Sequence, residues 1–234
     1  LDFDFLIYVS ASSKNIAPSD GHLLLNLMNV SGSVCCVEIN QGCSGYTHAL
    51  GIARSLIKSD SANRILIVTS ETYSKYINHN DKGNLSIFGD AATTSMVVKN
   101  KIEDSWEIKN FKYGSNGNGS QFLNINKKNE LYMDGGEVFK FTANTIVKFI
   151  LNQKLDFENK KIIFHQANSF MLNYMRKKLK INIENFLIDM SDTGNTVSSS
   201  IPLVIGRNSN LLKDKSIFLC GFGIGLSYSS VELI

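Results

Sequence analysis

The chain has 234 residues, 43% of them hydrophobic and 19% charged, which is the balance of a folded globular protein and excludes a disordered one. Its 24 basic and 21 acidic residues leave a formal charge of +3, and the basic runs Lys127-Lys128 and Arg176-Lys177-Lys178 are too short to mark a nucleic-acid partner. No apolar stretch is long enough to span a bilayer, no signal peptide opens the chain, and Cys35, Cys36, Cys43 and Cys220 lack paired metal-ligand spacing. A reduced cytoplasmic protein with no membrane or metal partner is expected.

Apolar runs and helical periods alternate along the chain. Phe3 to Ser10 reads as a buried strand, and Ser19-Asp20 opens a helix to about Met28 with Leu23, Leu24, Leu27 and Met28 on one face. Val34 to Ile39 is a second strand, followed by a glycine-rich turn and a helix from about Ser44 to Lys58. Ile65 to Ser70 and Thr93 to Val98 are further strands, and the loop between them, Tyr73 to Gly89, is too long to be idle. A strand from Trp106 to Tyr113, a polar loop from Gly114 to Gly119 and a helix from Gly136 to Leu151 come next. The chain closes with strand Lys161 to Phe164, helix Ser169 to Leu179, strand Phe186 to Ile188, helix Val197 to about Arg207, and strands Ser216 to Cys220 and Leu226 to Leu233.

The order β-α-β-α-β-β therefore occurs twice, from Phe3 to about Lys99 and from Lys161 to Ile234, and the class is α/β. Two halves are expected, 1–100 and 101–234. Only the second has a strand and helix in front of its repeat. A duplication predicts the same pair ahead of Phe3, and Leu1 in place of an initiator methionine agrees. The chain reads as incomplete at its N-terminus by several dozen residues.

Asn40-Gln41-Gly42-Cys43-Ser44-Gly45 joins a buried strand to a helix. Gly42 and Gly45 clear the space around Cys43, and a helix N-terminus lowers a thiol pKa, so Cys43 is the expected nucleophile. Cys35, Cys36 and Cys220 sit in or at the end of apolar strands and read as small buried hydrophobes. His165 follows the strand KIIF directly, and ligands of open α/β sheets bind at the C-terminal ends of strands. His48 and His79 read as structural. Asn195 in DTGNT lies in a strand-to-helix turn and takes the place in the second repeat that Cys43 takes in the first. Cys220-Gly221-Phe222-Gly223-Ile224-Gly225-Leu226 has no P-loop Lys-Ser/Thr after it, so it reads as an oxyanion hole rather than a phosphate loop.

Cys43 in QGCSGYTHAL, the IFGDAA segment, His165 in HQAN, Asn195 in GNT thirty residues on, and the GFGIG loop resemble β-ketoacyl-ACP synthase III, a thiolase-superfamily condensing enzyme. The resemblance implies a duplicated αβαβα layered fold, an acyltransferase without a cofactor, acyl-CoA and malonyl-ACP as substrates, and a homodimer formed through Val34 to Ile39. It implies that Cys43 is acylated and that His165 and Asn195 hold the enolate left by decarboxylation. The amides of Cys43 and of Cys220-Gly221 would bind the tetrahedral oxyanion. Lys82-Gly83 would meet the CoA adenine, Phe139 would line the acyl or pantetheine channel, and Asn168 would contact pantetheine. Lys82 and Phe170 stand where the housekeeping enzyme has arginines, which points to a specialised substrate or carrier. The rival readings are a papain-like cysteine hydrolase, which lacks its signature around Cys43, other thiolase-superfamily enzymes, and an inactive dimerisation partner.

Overall fold

The computed structural model describes residues 2–234. The first sheet has the order β2-β1-β3-β4, with β1 (Phe5–Val9) parallel to β2 (Cys35–Ile39) and β3 (Arg64–Glu71), and β4 (Ala91–Val98) antiparallel to β3. The second sheet has the order β5-β11-β10-β8-β9. Its β8 (Lys160–Phe164) runs parallel to β9 (Phe186–Leu187) and β10 (Ser216–Gly223), and β11 (Ser227–Leu233) and β5 (Ile108–Ser115) are antiparallel additions. The arrangement β2-β1-β3-β4 is repeated as β9-β8-β10-β11, with β5 beyond β11 as the additional strand.

The layers follow from the alternation of side chains along buried strands. Ile7, Val9, Ile65 and Ile67 of the first sheet face Ile163, Ile217, Leu219 and Val231 of the second across a shared core. Between them lie α2 (Gly45–Lys58) and α7 (Ser200–Arg207), contributing Ala49, Leu50, Ala53, Ile201 and Val204. The small residues of α2 let two sheets close on one helix. The other face of the first sheet, with Leu6, Tyr8, Leu66 and Val68, is covered by α1 (Asp20–Leu27). The other face of the second sheet, with Ile162, Phe164, Phe218, Cys220 and Phe222, is covered by two helical segments. One is α6 (Ser169–Lys178); the other runs from α4 (Gly135–Phe141) through a π turn at Thr142–Ile146 into α5 (Val147–Leu151). The result is an αβαβα stack.

Several elements differ from expectation. In α1 the buried positions are Gly21 and Leu25, one turn apart, whereas Leu23 and Leu27 are exposed. Cys35 is exposed and Cys36 half-buried, because β2 is a sheet edge rather than an interior strand. The hairpin of β6 (Leu123–Ile125) and β7 (Leu131–Met133) was not visible as a pattern, since each strand has only three residues. The long loop from Tyr73 to Gly89 is structured: a 3-10 turn at Tyr73–Tyr76 buries Tyr73 and Tyr76, and a short helix, α3 (Lys82–Leu85), is capped by Asp81.

Candidate active site

Cys43 lies in a 3-10 turn, Gly42–Ser44, that leads from β2 into α2. It is buried, with 5% of its surface exposed. The expectation of a thiol acidified by the helix start is corrected. Burial dominates and pushes the Cys43 thiol up to about 12; Glu71 adds to the rise, and the amides of Ile224 and of Cys43 itself only partly offset it. Those two amides both face the sulfur. The turn Gly223-Ile224 is pressed onto it so closely that a Cβ on Gly223 would lie 2.7 Å from Cys43 Sγ.

His165 follows β8, is 2% exposed, and shares a hydrogen bond between Nδ1 and Ser200 Oγ at 2.8 Å. Burial depresses its pKa to about 3, with the Val197 backbone pulling weakly the other way, so the imidazole is neutral at physiological pH. Phe222 meets the His165 ring edge-on, with centroids 5.9 Å apart. Phe222 adjoins Gly223, so a single step of chain links the imidazole to the cysteine. Asn195 is 5% exposed and its Oδ1 accepts the Val197 N–H at 2.9 Å. With the oxygen held, the amide's Nδ2 is the end left to donate outward.

Two sequence strings flagged separately pack on each other. The Asn195 N–H donates to Ile87 O at 2.7 Å and Asn195 O accepts the Gly89 N–H at 3.0 Å. Gly194 has φ +64° there, and a Cβ on it would lie 2.5 Å from Ile87 O. IFGDAA thus serves as the clamp that fixes GNT. Asp90 continues the clamp by accepting the Ser74 N–H at 2.9 Å.

The remaining sequence candidates are placed less centrally. Cys220 and Gly221 are not in a loop: both belong to β10, Cys220 points to the outer face of its sheet, and its carbonyl accepts the His165 N–H. The Ile224 amide lies beside the thiol, and Gly221 packs on the nucleophile turn, a Cβ there lying 2.8 Å from Cys43 O. Lys82 and Gly83 lie exposed on α3. Phe139 packs against Phe170 and Tyr174 at 5.8 and 5.0 Å. Asn168 caps α6, its Oδ1 accepting the Met171 N–H at 2.8 Å, which leaves only its Nδ2 for a ligand. The placement of Asn195 opposite Cys43 is also refined. Cys43 stands two residues ahead of α2, and the residue two ahead of α7 is Ser198. Sequence reasoning passed over Ser198, Ser200 and Glu71. The last carried a signal, a carboxylate ending the apolar run ILIVTSE. Among the described residues, no cluster of three His, Cys, Asp or Glu side chains could hold a metal ion, and no helix is long and apolar enough to cross a membrane.

Residues 37–117 match the family 3-oxoacyl-[acyl-carrier-protein (ACP)] synthase III, and residues 157–233 match the C-terminal part of the same synthase. The chain is 31% identical to a beta-ketoacyl-[acyl-carrier-protein] synthase III of Clostridium botulinum, over all of this chain and 77% of the relative. It is also 31% identical to the synthase of that name from Clostridium perfringens, over 98% of this chain and 76% of the relative. The crystal structure of 3-oxoacyl-[acyl-carrier-protein] synthase III from Aquifex aeolicus superposes with a TM-score of 0.89 at 27% identity, covering 99% of this chain and 77% of that one. With the layered fold, the buried cysteine and the paired histidine and asparagine turns already described, these likenesses assign the chain to the 3-oxoacyl-[acyl-carrier-protein] synthase III family.

Proposed function

We propose that the chain carries an acyl group on Cys43 and condenses it with a malonyl unit. In the first half-reaction the Cys43 sulfur attacks the thioester carbonyl of an acyl-CoA. The carbonyl π bond becomes an oxyanion held by the amides of Cys43 and Ile224, the C–S bond to CoA breaks, and the thiol proton leaves with the CoA sulfur. In the second, malonyl-ACP loses CO₂, and the electron pair of the broken C–C bond becomes an enolate. The enolate oxygen is held by a neutral His165 and by Asn195 Nδ2. The enolate carbon then attacks the acyl-Cys43 carbonyl, the C–S bond to Cys43 breaks, and the cysteine takes a proton.

The observation that carries this reading is the strand end Phe222-Gly223, which sets a ring against a His165 that burial keeps neutral and presses the next residue onto the buried, uncharged Cys43 thiol. A neutral imidazole donates to an enolate oxygen without needing a counter-charge, and preorganised donors in a dry site cost no reorganisation during the reaction. The same neutrality argues against a resting thiolate–imidazolium pair, the device of a papain-like hydrolase.

The finer readings follow the same line. Lys82-Gly83 meets the CoA adenine, Asn168 Nδ2 offers a donor to pantetheine, and Phe139 an apolar wall to the channel. The exposed edge of β2, with Val37 41% exposed, supports a homodimer formed there. The halves 1–100 and 101–234 act as one catalytic unit, the first supplying the nucleophile and the second the enolate site. The test is to separate the half-reactions. Cys43→Ala should still release CO₂ from malonyl-ACP while accepting no acyl group. His165→Ala should accept the acyl group while releasing no CO₂. Loss of acylation in His165→Ala as complete as in Cys43→Ala would make the histidine the base for the thiol and overturn the scheme.

A further inference from the structure

Glu71 ends β3 with 1% of its surface exposed, and no lysine or arginine among the described residues forms an ion pair with it. Its carboxylate is instead gathered by donors from two distant parts of the chain. The Ala11 N–H reaches both oxygens at 3.2 Å, Ser12 Oγ lies 2.7 Å from Oε2, and Ser198 Oγ lies 2.5 Å from Oε1. Ser12 is itself fixed, its hydroxyl accepting the Thr72 N–H at 2.9 Å. These partners bracket the nucleophile turn. A Cβ placed on Gly42 would lie 3.6 Å from Ala11 Cβ, and one on Gly45 would lie 3.8 Å from Ser198 Cβ. Ser198 also directly follows Val197, whose N–H holds Asn195 and whose backbone touches His165.

We propose that Glu71 is a positioning residue, whose carboxylate ties the turn carrying Asn195 to the loop after β1 that packs on Gly42 of the nucleophile turn, and places a negative charge behind the thiol. This rests on the reading of Cys43 as the nucleophile. Burial raises the Glu71 pKa, and the hydroxyls of Ser198 and Ser12 and the Ala11 amide oppose that rise; in the ionised form no cation neutralises its field. That field opposes formation of a thiolate, in the same sense as burial does. The titratable groups facing Glu71 are Cys43, Tyr73 and Tyr8, and both phenols stay neutral, held above their ordinary pKa chiefly by burial. Lys75 donates to the neighbouring Ser12 carbonyl without reaching the carboxylate. The charge keeps the sulfur a thiol at rest.

The test uses the full chain and iodoacetamide, with labelling of Cys43 followed by peptide-resolved mass spectrometry from pH 6 to 10. The labelling arm needs no acyl substrate, so it is readable even if the condensation reading fails; the decarboxylation arm uses malonyl-ACP and shares that reading. Glu71→Gln keeps the size of the side chain and removes its charge. The pH midpoint for Cys43 labelling should fall by about one unit, a rise of about tenfold in rate at a fixed pH below the midpoint. Ser12→Ala removes a donor that keeps the carboxylate charged and should move the midpoint the same way by less, which reads out the charge even if Glu71→Gln does not fold. Ser198→Ala should reduce malonyl decarboxylation about tenfold by loosening the Asn195 turn. An unmoved midpoint in both Glu71→Gln and Ser12→Ala overturns the electrostatic role, and undiminished decarboxylation in Ser198→Ala overturns the tie between turn and loop.

Discussion

The two halves of the molecule share a topology, and the proposed chemistry divides between them. Val9 of β1 pairs with Thr69 of β3, and Phe164 of β8 pairs with Cys220 of β10, so Glu71 and Phe222 occupy matching places two residues further on. In the first half that place holds a buried carboxylate gathered by the loop after β1. In the second it holds an aromatic ring set against His165, the residue after β8. The turns ahead of the central helices differ in the same spirit, with Cys43 before α2 and Ser198 before α7. One half is built to hold a thiol beside a negative charge. The other holds an uncharged histidine and an amide. A duplicated scaffold thus brings two unlike environments to one centre, and the reaction described above needs both.

Breaking the first half at its nucleophile should have the largest effect. Cys43→Ala should lower condensation by about 10³-fold or more, as loss of a covalent nucleophile does; retention of most of the activity would end the assignment. Next comes the contact between the halves. Gly223→Ala forces a methyl group to within 2.7 Å of Cys43 Sγ, and rates of acylation should drop by about a hundredfold, because small displacements of reacting groups are costly. Stopped-flow measurement of CoA release checks this, and wild-type rates would mean that the turn carrying Ile224 does not seat on the thiol.

The second half should show itself in the pH dependence of stability. His165 is held near pKa 3 in the fold and returns to about 6.5 when unfolded. The unfolded chain therefore binds the extra proton, and this group's contribution is complete above pH 6.5 and lost as pH falls toward 3. The slope is about 1.4 kcal/mol per pH unit from this one group. Denaturant melts of His165→Gln against the unaltered chain should show a flatter acid limb; parallel limbs would place a charged imidazole in the fold. The smallest effect concerns the edge of the first half. Cys35 is exposed on β2, and its labelling by iodoacetamide should slow as protein concentration rises if that edge pairs in a dimer. A rate independent of concentration would move the interface elsewhere.

Much of this division was legible in the residues. The apolar runs of β1, β3, β8 and β10 read as buried strands because each faces a layer on both sides. His165 stood out because it follows the run of β8 directly, and Cys43 and Asn195 because each lies in a polar turn between a strand and a helix. What escaped depended on long-range packing. Periodicity gave only half of the α1 face, Leu24 and Met28 packing on the sheet while Leu23 and Leu27 do not, since Gly21 contributes no hydrophobic signal yet permits the closest approach. The extent of β10 was not legible either, because the strand continues through Gly223 and only its partner strand fixes where it ends. The thiol pKa was misjudged in direction: a helix start is visible in a sequence, whereas enclosure by Gly223 and Tyr73 and the field of Glu71 are not. Ser198 and Glu71, far apart in the chain, meet only through the fold.

The central claim is that Cys43 is the acyl carrier, and the direct measurement is the intact mass of the chain after incubation with a panel of acyl-CoAs, with the modified peptide then sequenced. The mass should rise by one acyl group, the group should map to Cys43, and subsequent malonyl-ACP should remove it. An acyl group on Cys35, Cys36 or Cys220 instead, or a chain left unmodified by every acyl-CoA, would contradict the account.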